Sequence, residues 1–119
     1  MPAFPDDYLY YVLEQLDDVG EVNVRRMFGG YGLYLDGAFF AIISRENVLY
    51  FKVDESTRAD YEALDMQQFT PLHYYEVPVD MLEDRAQLAI WARKAYDVAL
   101  RKAAAKPPKR RSSRQRKGL

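Results

Sequence analysis

Apolar and polar positions are patterned most clearly between Arg25 and Val53, RRMFGGYGLYLDGAFFAIISRENVLYFKV. Two apolar runs, Leu33 to Leu35 and Ala38 to Ile43, flank Asp36-Gly37. Both central residues of a type I′ turn need positive φ, which Asp and Gly tolerate, so the pattern predicts a tight β-hairpin. A two-residue turn sets Leu35 against Ala38, Tyr34 against Phe39 and Leu33 against Phe40. Side chains alternate between faces along a strand. One face then carries Tyr31, Leu33, Leu35, Phe40 and Ile42, and the other Tyr34, Phe39, Ala41 and Ile43. The polar stretch Ser44-Arg45-Glu46-Asn47 predicts a second reversal. As a four-residue loop it puts Leu49, Phe51 and Val53 on the first face and Val48, Tyr50 and Lys52 on the second. A three-residue loop swaps them. An antiparallel sheet with one wet face reads apolar-in and polar-out. This one is apolar on both, so its second face calls for cover by the chain's helices, another copy or a partner.

Helical spacing brackets this sheet. Pro5 to Val19 predicts a first helix, with Pro5 at its first position and Asp6 and Asp7 near its positive end. Leu9, Val12, Leu13 and Leu16 form its apolar stripe, Tyr8, Tyr10 and Tyr11 surround it, and Gly20 stops it. Glu21 to Phe28 reads as extended. Asp54 to Leu64 reads as a short helix capped by Asp54, with Tyr61 and Leu64 as an inward pair. Asp65 to Gln68 connects it to Phe69–Val77, extended and interrupted by Pro71, which suits an edge or a bend. Met81 to about Ala105 predicts the longest helix, started by Asp84 and Gln87 as a capping box. Its stripe is Leu88, Trp91, Ala92, Ala95 and Ala99, with Arg93, Lys94, Asp97 and Arg101 facing away. The fold class is therefore α+β, an antiparallel hairpin meander flanked by an amino-terminal and a long carboxy-terminal helix.

Charge changes the picture at one end. Net charge is −1 over 119 residues, but residues 1–100 carry −10 and residues 101–119 carry +9. Residues 106–119, KPPKRRSSRQRKGL, are poor in apolar residues, and disorder in isolation is expected of them. The length predicts one domain, residues 1–105, followed by this tail. Lys109, Arg110, Arg111, Arg114, Arg116 and Lys117 suit phosphate neutralisation, which makes DNA or RNA a candidate partner. No aromatic stands among them to stack on bases.

Other chemistry is sparse. Cysteine is absent, which removes disulfides and thiolate metal sites and suits a reducing compartment. No apolar run approaches the roughly 18 residues of a membrane span. No signal peptide is visible, so a cytoplasmic location without membrane attachment is expected. His73 is the single histidine and reads as a strand residue. The acidic pairs Asp6-Asp7, Asp17-Asp18, Asp54-Glu55 and Glu83-Asp84 read as helix-end residues rather than a catalytic pair. Ser44, Ser56, Ser112 and Ser113 occur in no nucleophile motif. Gly29, Gly30 and Gly32 lead into a strand, not a helix, and lack the spacing of a phosphate loop. They predict a bulge, a bend or close backbone packing. Arg25 and Arg26 beside them read either as an ion-paired and a solvated arginine or as contacts to an acidic partner. No catalytic residue, cofactor or metal site is expected.

Arg25-Arg26-Met27-Phe28-Gly29-Gly30-Tyr31-Gly32-Leu33-Tyr34, with Asp36-Gly37 and Phe40-Ala41, resembles the amino-terminal domain of the TfoX/Sxy family of bacterial competence regulators. Tyr74-Tyr75-Glu76-Val77-Pro78, Leu82-Glu83-Asp84 and Trp91-Ala92-Arg93 extend the resemblance, which covers roughly residues 5–104. It implies a secretion-chaperone-like α+β fold and no enzymatic activity. It also implies a part in transcription of DNA-uptake genes alongside the cyclic-AMP receptor protein. Full-length regulators of the family continue into a carboxy-terminal helical domain, where this sequence carries the short basic tail. The expected function is that of a non-enzymatic regulatory or adaptor module whose protein interface includes Arg25, Arg26, Tyr34, Phe39, Ile43 and Tyr50. A homodimer through the same face is the further expectation.

Overall fold

A computed structural model describes residues 6–27, 29–68 and 73–105. The order of elements is α1 (Asp6–Gln15), β1 (Val22–Met27), β2 (Gly30–Leu35), β3 (Ala38–Ile43), β4 (Leu49–Lys52), α2 (Glu55–Glu62), β5 (Tyr74–Glu76), α3 (Val79–Leu82) and α4 (Arg85–Ala105). The five strands form one antiparallel meander in the order β1-β2-β3-β4-β5. This is the α+β class that the pattern predicts.

The Asp36-Gly37 reversal stands where expected, with φ of 50° and 81°. Leu35 pairs Ala38 and Tyr34 pairs Phe39. Beyond them the register shifts, and Leu33 pairs Ala41 rather than Phe40. Phe40 is thus an extra residue, a β-bulge, and every position after it changes face. Ala41 and Ile43 move to the first face and Ile42 to the second. The following loop has three residues, Arg45 to Asn47, closed by the Ser44 N–H donating to the Val48 carbonyl at 2.9 Å, with Asn47 at φ 65°. Ile43 consequently pairs Leu49. The bulge and the shorter loop are each a one-residue departure, and they cancel. Leu49, Phe51 and Val53 therefore reach the first face, as a four-residue loop without a bulge would place them.

All the helices that contribute to the core lie on that face. Leu9 and Val12 of α1, Leu16 just after it, Tyr61 of α2, Leu82 of α3, and Leu88, Ala92, Ala95 and Ala99 of α4 share one cluster with Leu33, Phe40, Ile43, Leu49 and Phe51. The alanines of α4 let its backbone lie close over β3 and β4. Burial of this apolar surface drives the assembly.

Several boundaries depart from expectation. α1 ends at Gln15, and Leu16 to Val19 form turns rather than further helix. The last helix is two, broken at Glu83-Asp84; the Asp84 carboxylate then accepts from the Gln87 N–H at 3.2 Å and caps α4. Asp54 caps α2 in a reciprocal box with Thr57. Leu64 lies beyond α2 and is 49% exposed, so it does not pair inward with Tyr61. Trp91 meets Tyr61 instead, edge-on at 4.7 Å. Pro5, Phe28, Pro71 and residues 106–119 fall outside the described residues. Among the described residues no helix is long and apolar enough to cross a membrane.

Candidate functional site: the second face of the sheet

Strand register assigns the second face. Asn23, Arg25 and Met27 of β1 oppose Tyr34, Gly32 and Gly30 of β2; Phe39 and Ile42 of β3 oppose Tyr34 and Gly32; Tyr50 and Lys52 of β4 oppose Ile42 on one side and Glu76 and Tyr74 of β5 on the other. No described helix contributes to this face. Its aromatic rings cover it themselves. Tyr34 and Phe39 stack at 5.0 Å, Phe39 tilts against Tyr74 at 5.5 Å, and Ile42 beneath is fully buried. Tyr34, Phe39 and Tyr50 remain half-buried. Aromatic pairs of this geometry are worth about 0.5–1.5 kcal/mol beyond their area.

Gly32 makes this layer possible. A side chain there would meet the Met27 thioether at 2.6–2.7 Å and the Phe39 ring at 3.0 Å. Gly30 is excluded from any substitution by the Ile43 carbonyl. The glycine run therefore serves close packing, one of the readings its sequence allows.

Two cations complete the surface. The Arg25 guanidinium lies 5.7 Å from the Tyr34 ring centre. Lys52 Nζ sits 5.4 Å from that of Phe39 and 5.6 Å from that of Tyr74. Ring quadrupoles attract cations in such positions. A concavity of about 420 Å³, lined by Asn23, Val24, Arg25, Tyr34 and Gly37, opens beside the Tyr34 ring. Burial pushes the Tyr74 hydroxyl above the usual phenol range, and its oxygen is enclosed without a hydrogen-bond partner among the described residues. Burial raises the Tyr50 hydroxyl as well, aided by the carboxylates of Glu76 and Glu46.

Of the residues expected at the interface, Arg25, Tyr34, Phe39 and Tyr50 come together here. Arg26 stands on the opposite face of β1, over the Tyr31 ring at 5.6 Å. Ile43 is corrected: it is buried in the core, because the bulge at Phe40 turned it inward. Neither Arg25 nor Arg26 forms an ion pair among the described residues, so the expectation that one pairs with an acid does not hold. Sequence reasoning placed Lys52 on this face through the third strand, though not among the interface residues, and it missed Tyr74, because the pairing of β4 with β5 spans a connection that local pattern does not resolve. The six tail residues, Lys109 through Lys117, lie outside the described residues.

A second concavity, about 470 Å³, is lined by Asp54, Glu55, Arg58, Glu62, His73, Tyr75 and Lys102 among others. Its polar groups are joined to one another. Arg58 reaches Glu55 at 2.8 Å and Glu62 at 3.5 Å, the Tyr75 hydroxyl donates to Glu62 at 3.1 Å, and Asp54 accepts from Arg101 at 3.0 Å. Burial pushes the Asp54 carboxyl up, but hydrogen bonds from Ser56 and Arg101 outweigh it and hold it below the usual range. His73 is exposed just before β5, and its carbonyl accepts from the Val53 N–H. Among the described residues no group of three or more acidic, histidine or cysteine side chains stands where it would hold a metal ion.

No curated protein matches the chain. The family model of the TfoX N-terminal domain matches residues 14–99, from within α1 to the last turns of α4. That family is one of competence-related regulatory domains and is not known as an enzymatic one. The match takes in the whole sheet and spans well over half of the sequence, and so this chain belongs to the TfoX N-terminal domain family.

Proposed function

We propose that this domain is a non-enzymatic adaptor that docks a partner protein on the second face of its sheet, in the service of competence-related transcription. The observation that carries the reading is the asymmetry of the meander: helices on one face, and on the other a layer of half-buried aromatics bordered by Arg25 and Lys52. Tyrosine and arginine are the residue types enriched in protein interfaces, where a ring supplies area at small entropic cost. The cyclic-AMP receptor protein is the first partner to test, on the family's association. Purified full-length chain and the chain carrying Tyr34→Ser, Phe39→Ser and Tyr50→Ser are compared for binding to it, with circular dichroism to verify folding. Loss of binding in a folded variant supports the reading. Equal binding by both counts against it.

The split of charge favours a second reading, nucleic-acid contact through residues 106–119. DNA affinity measured against salt, with and without those residues, decides it. Affinity that survives their removal, or that is indifferent to salt, excludes the tail.

A further inference from the structure

The sheet has two edges, and the chain treats them differently. At β5 the outer side is occupied: Gln68 bridges Tyr75, and the Glu76 N–H donates to the Gln67 carbonyl at 2.8 Å. At β1 six residues, Val22 to Met27, pair with β2 on one side, and among the described residues no backbone–backbone hydrogen bond reaches the other. Alternate residues of an antiparallel strand turn their N–H and C=O groups outward. An edge of this length without proline, glycine or bulge is a template for another strand.

Charge selects the occupant. Arg25 and Arg26 are consecutive, so one guanidinium stands on each face of the edge. Each rests over a tyrosine of β2 and lies in no ion pair among the described residues. β1 itself contains no acidic residue. A second copy fits poorly. Antiparallel pairing of two copies through this edge keeps the same face of each on the same side, so opposed residues share a face: Arg25 meets Arg25, or Val24 meets Val24. The two Arg25 side chains then stand directly opposite or diagonal to one another, and like charges so placed repel. The chain's own basic residues 106–119 are repelled by the same pair. A segment with two consecutive carboxylates instead presents one to each guanidinium, in charge-assisted hydrogen bonds.

We propose that β1 receives, by strand addition, an extended acidic segment of a partner protein, with Arg25 and Arg26 reading two consecutive Asp or Glu residues. The proposal rests on the reading of this domain as a protein-docking module. It moves the specific contact from the aromatic face to the edge beside it, and it gives the two arginines a double role: they admit an acidic strand and reject a second copy.

The full chain is selected against a display library of random ten-residue peptides, and an enriched peptide is synthesised. Enrichment of proline-free peptides with consecutive Asp or Glu is expected. The peptide slows amide hydrogen exchange at alternate residues of β1. Charge reversal, R25E with R26E, lowers its affinity by at least about tenfold. The uncharged pair R25Q with R26Q falls between, which separates lost attraction from lost folding. Enriched peptides without acids, affinity untouched by the reversal, or unprotected β1 amides overturn the proposal. Peptide signals confined to Tyr34, Phe39 and Tyr50 overturn it while leaving the docking face in place. Edge protection that is unaffected by Tyr34→Ser, Phe39→Ser and Tyr50→Ser upholds it and removes the aromatic face from the contact.

Discussion

The two faces of one sheet are both apolar, yet they are closed in different ways. The first buries Leu33, Phe40, Ile43, Leu49 and Phe51 completely or nearly so beneath α1 and α4. The second closes over Ile42 with its own rings, which lie against one another and leave Tyr34, Phe39 and Tyr50 half-buried. Helices exclude water by bringing in a second layer. Aromatic side chains do it within the layer, and Tyr34, Phe39 and Tyr50 keep part of their surface exposed. The comparison separates what maintains the fold from what another molecule can reach.

The comparison predicts its sharpest contrast in truncation. Phe51→Ala removes a fully buried ring and is expected to lower unfolding stability by about 3–5 kcal/mol, while Phe39→Ala on the second face lowers it by about 1 kcal/mol. Urea midpoints give both values. Equal losses would abolish the distinction between the faces. Next in size are the glycines. Gly30→Ala drives a methyl group into the Ile43 carbonyl, whereas Gly32→Ala meets chiefly the mobile end of Met27. The first is expected to cost about 2–3 kcal/mol and the second about 1 kcal/mol, again from denaturation midpoints.

A smaller effect has the opposite sign. The Tyr74 oxygen is enclosed without a partner, so Tyr74→Phe is expected to raise stability by about 1 kcal/mol. It also bears on pH. Burial raises the hydroxyls of Tyr61 on the first face and Tyr74 on the second above the phenol range. A tyrosine whose folded pKa exceeds its unfolded value of about 10 holds its proton more tightly when native. Stability is therefore full below about pH 10 and falls as pH rises beyond it. Tyr61→Phe and Tyr74→Phe should each flatten that decline; thermal melts between pH 8 and 11 measure the slopes. The smallest change is expected at the helical surface. Lys94 meets Asp60 at 3.6 Å with both side chains about half exposed, and Lys94→Ala should shift stability by less than about 0.5 kcal/mol.

Legibility follows the range of the interactions. The Asp36-Gly37 reversal, the caps at Asp54 and Asp84 and the stripe of α4 were readable because each depends on residues within a turn or two of sequence. The bulge at Phe40 was not. Its cause is the closure of a hairpin on a core that takes Phe40, Ala41 and Ile43 together, and strict alternation had divided them between faces. Ile43 was misplaced for that reason, and the third strand was placed correctly only because two departures offset each other. Arg25 and Arg26 were legible as a basic pair, but not their stacking on Tyr34 and Tyr31, which comes from the β1–β2 register.

The sequence by itself determined an antiparallel meander, its helices, its charge division and a surplus of apolar residues for a sheet with one wet face. Hydrophobic periodicity and turn chemistry are local, and they suffice for that much. Only the tertiary structure decided which face the helices took, how the aromatic rings closed the other, and that, among the described residues, no strand pairs the outer side of β1 while Gln68 bridges that of β5. Those outcomes depend on register and on packing between segments far apart in the chain. A one-residue shift there reverses a side chain's face without altering the composition of the strand.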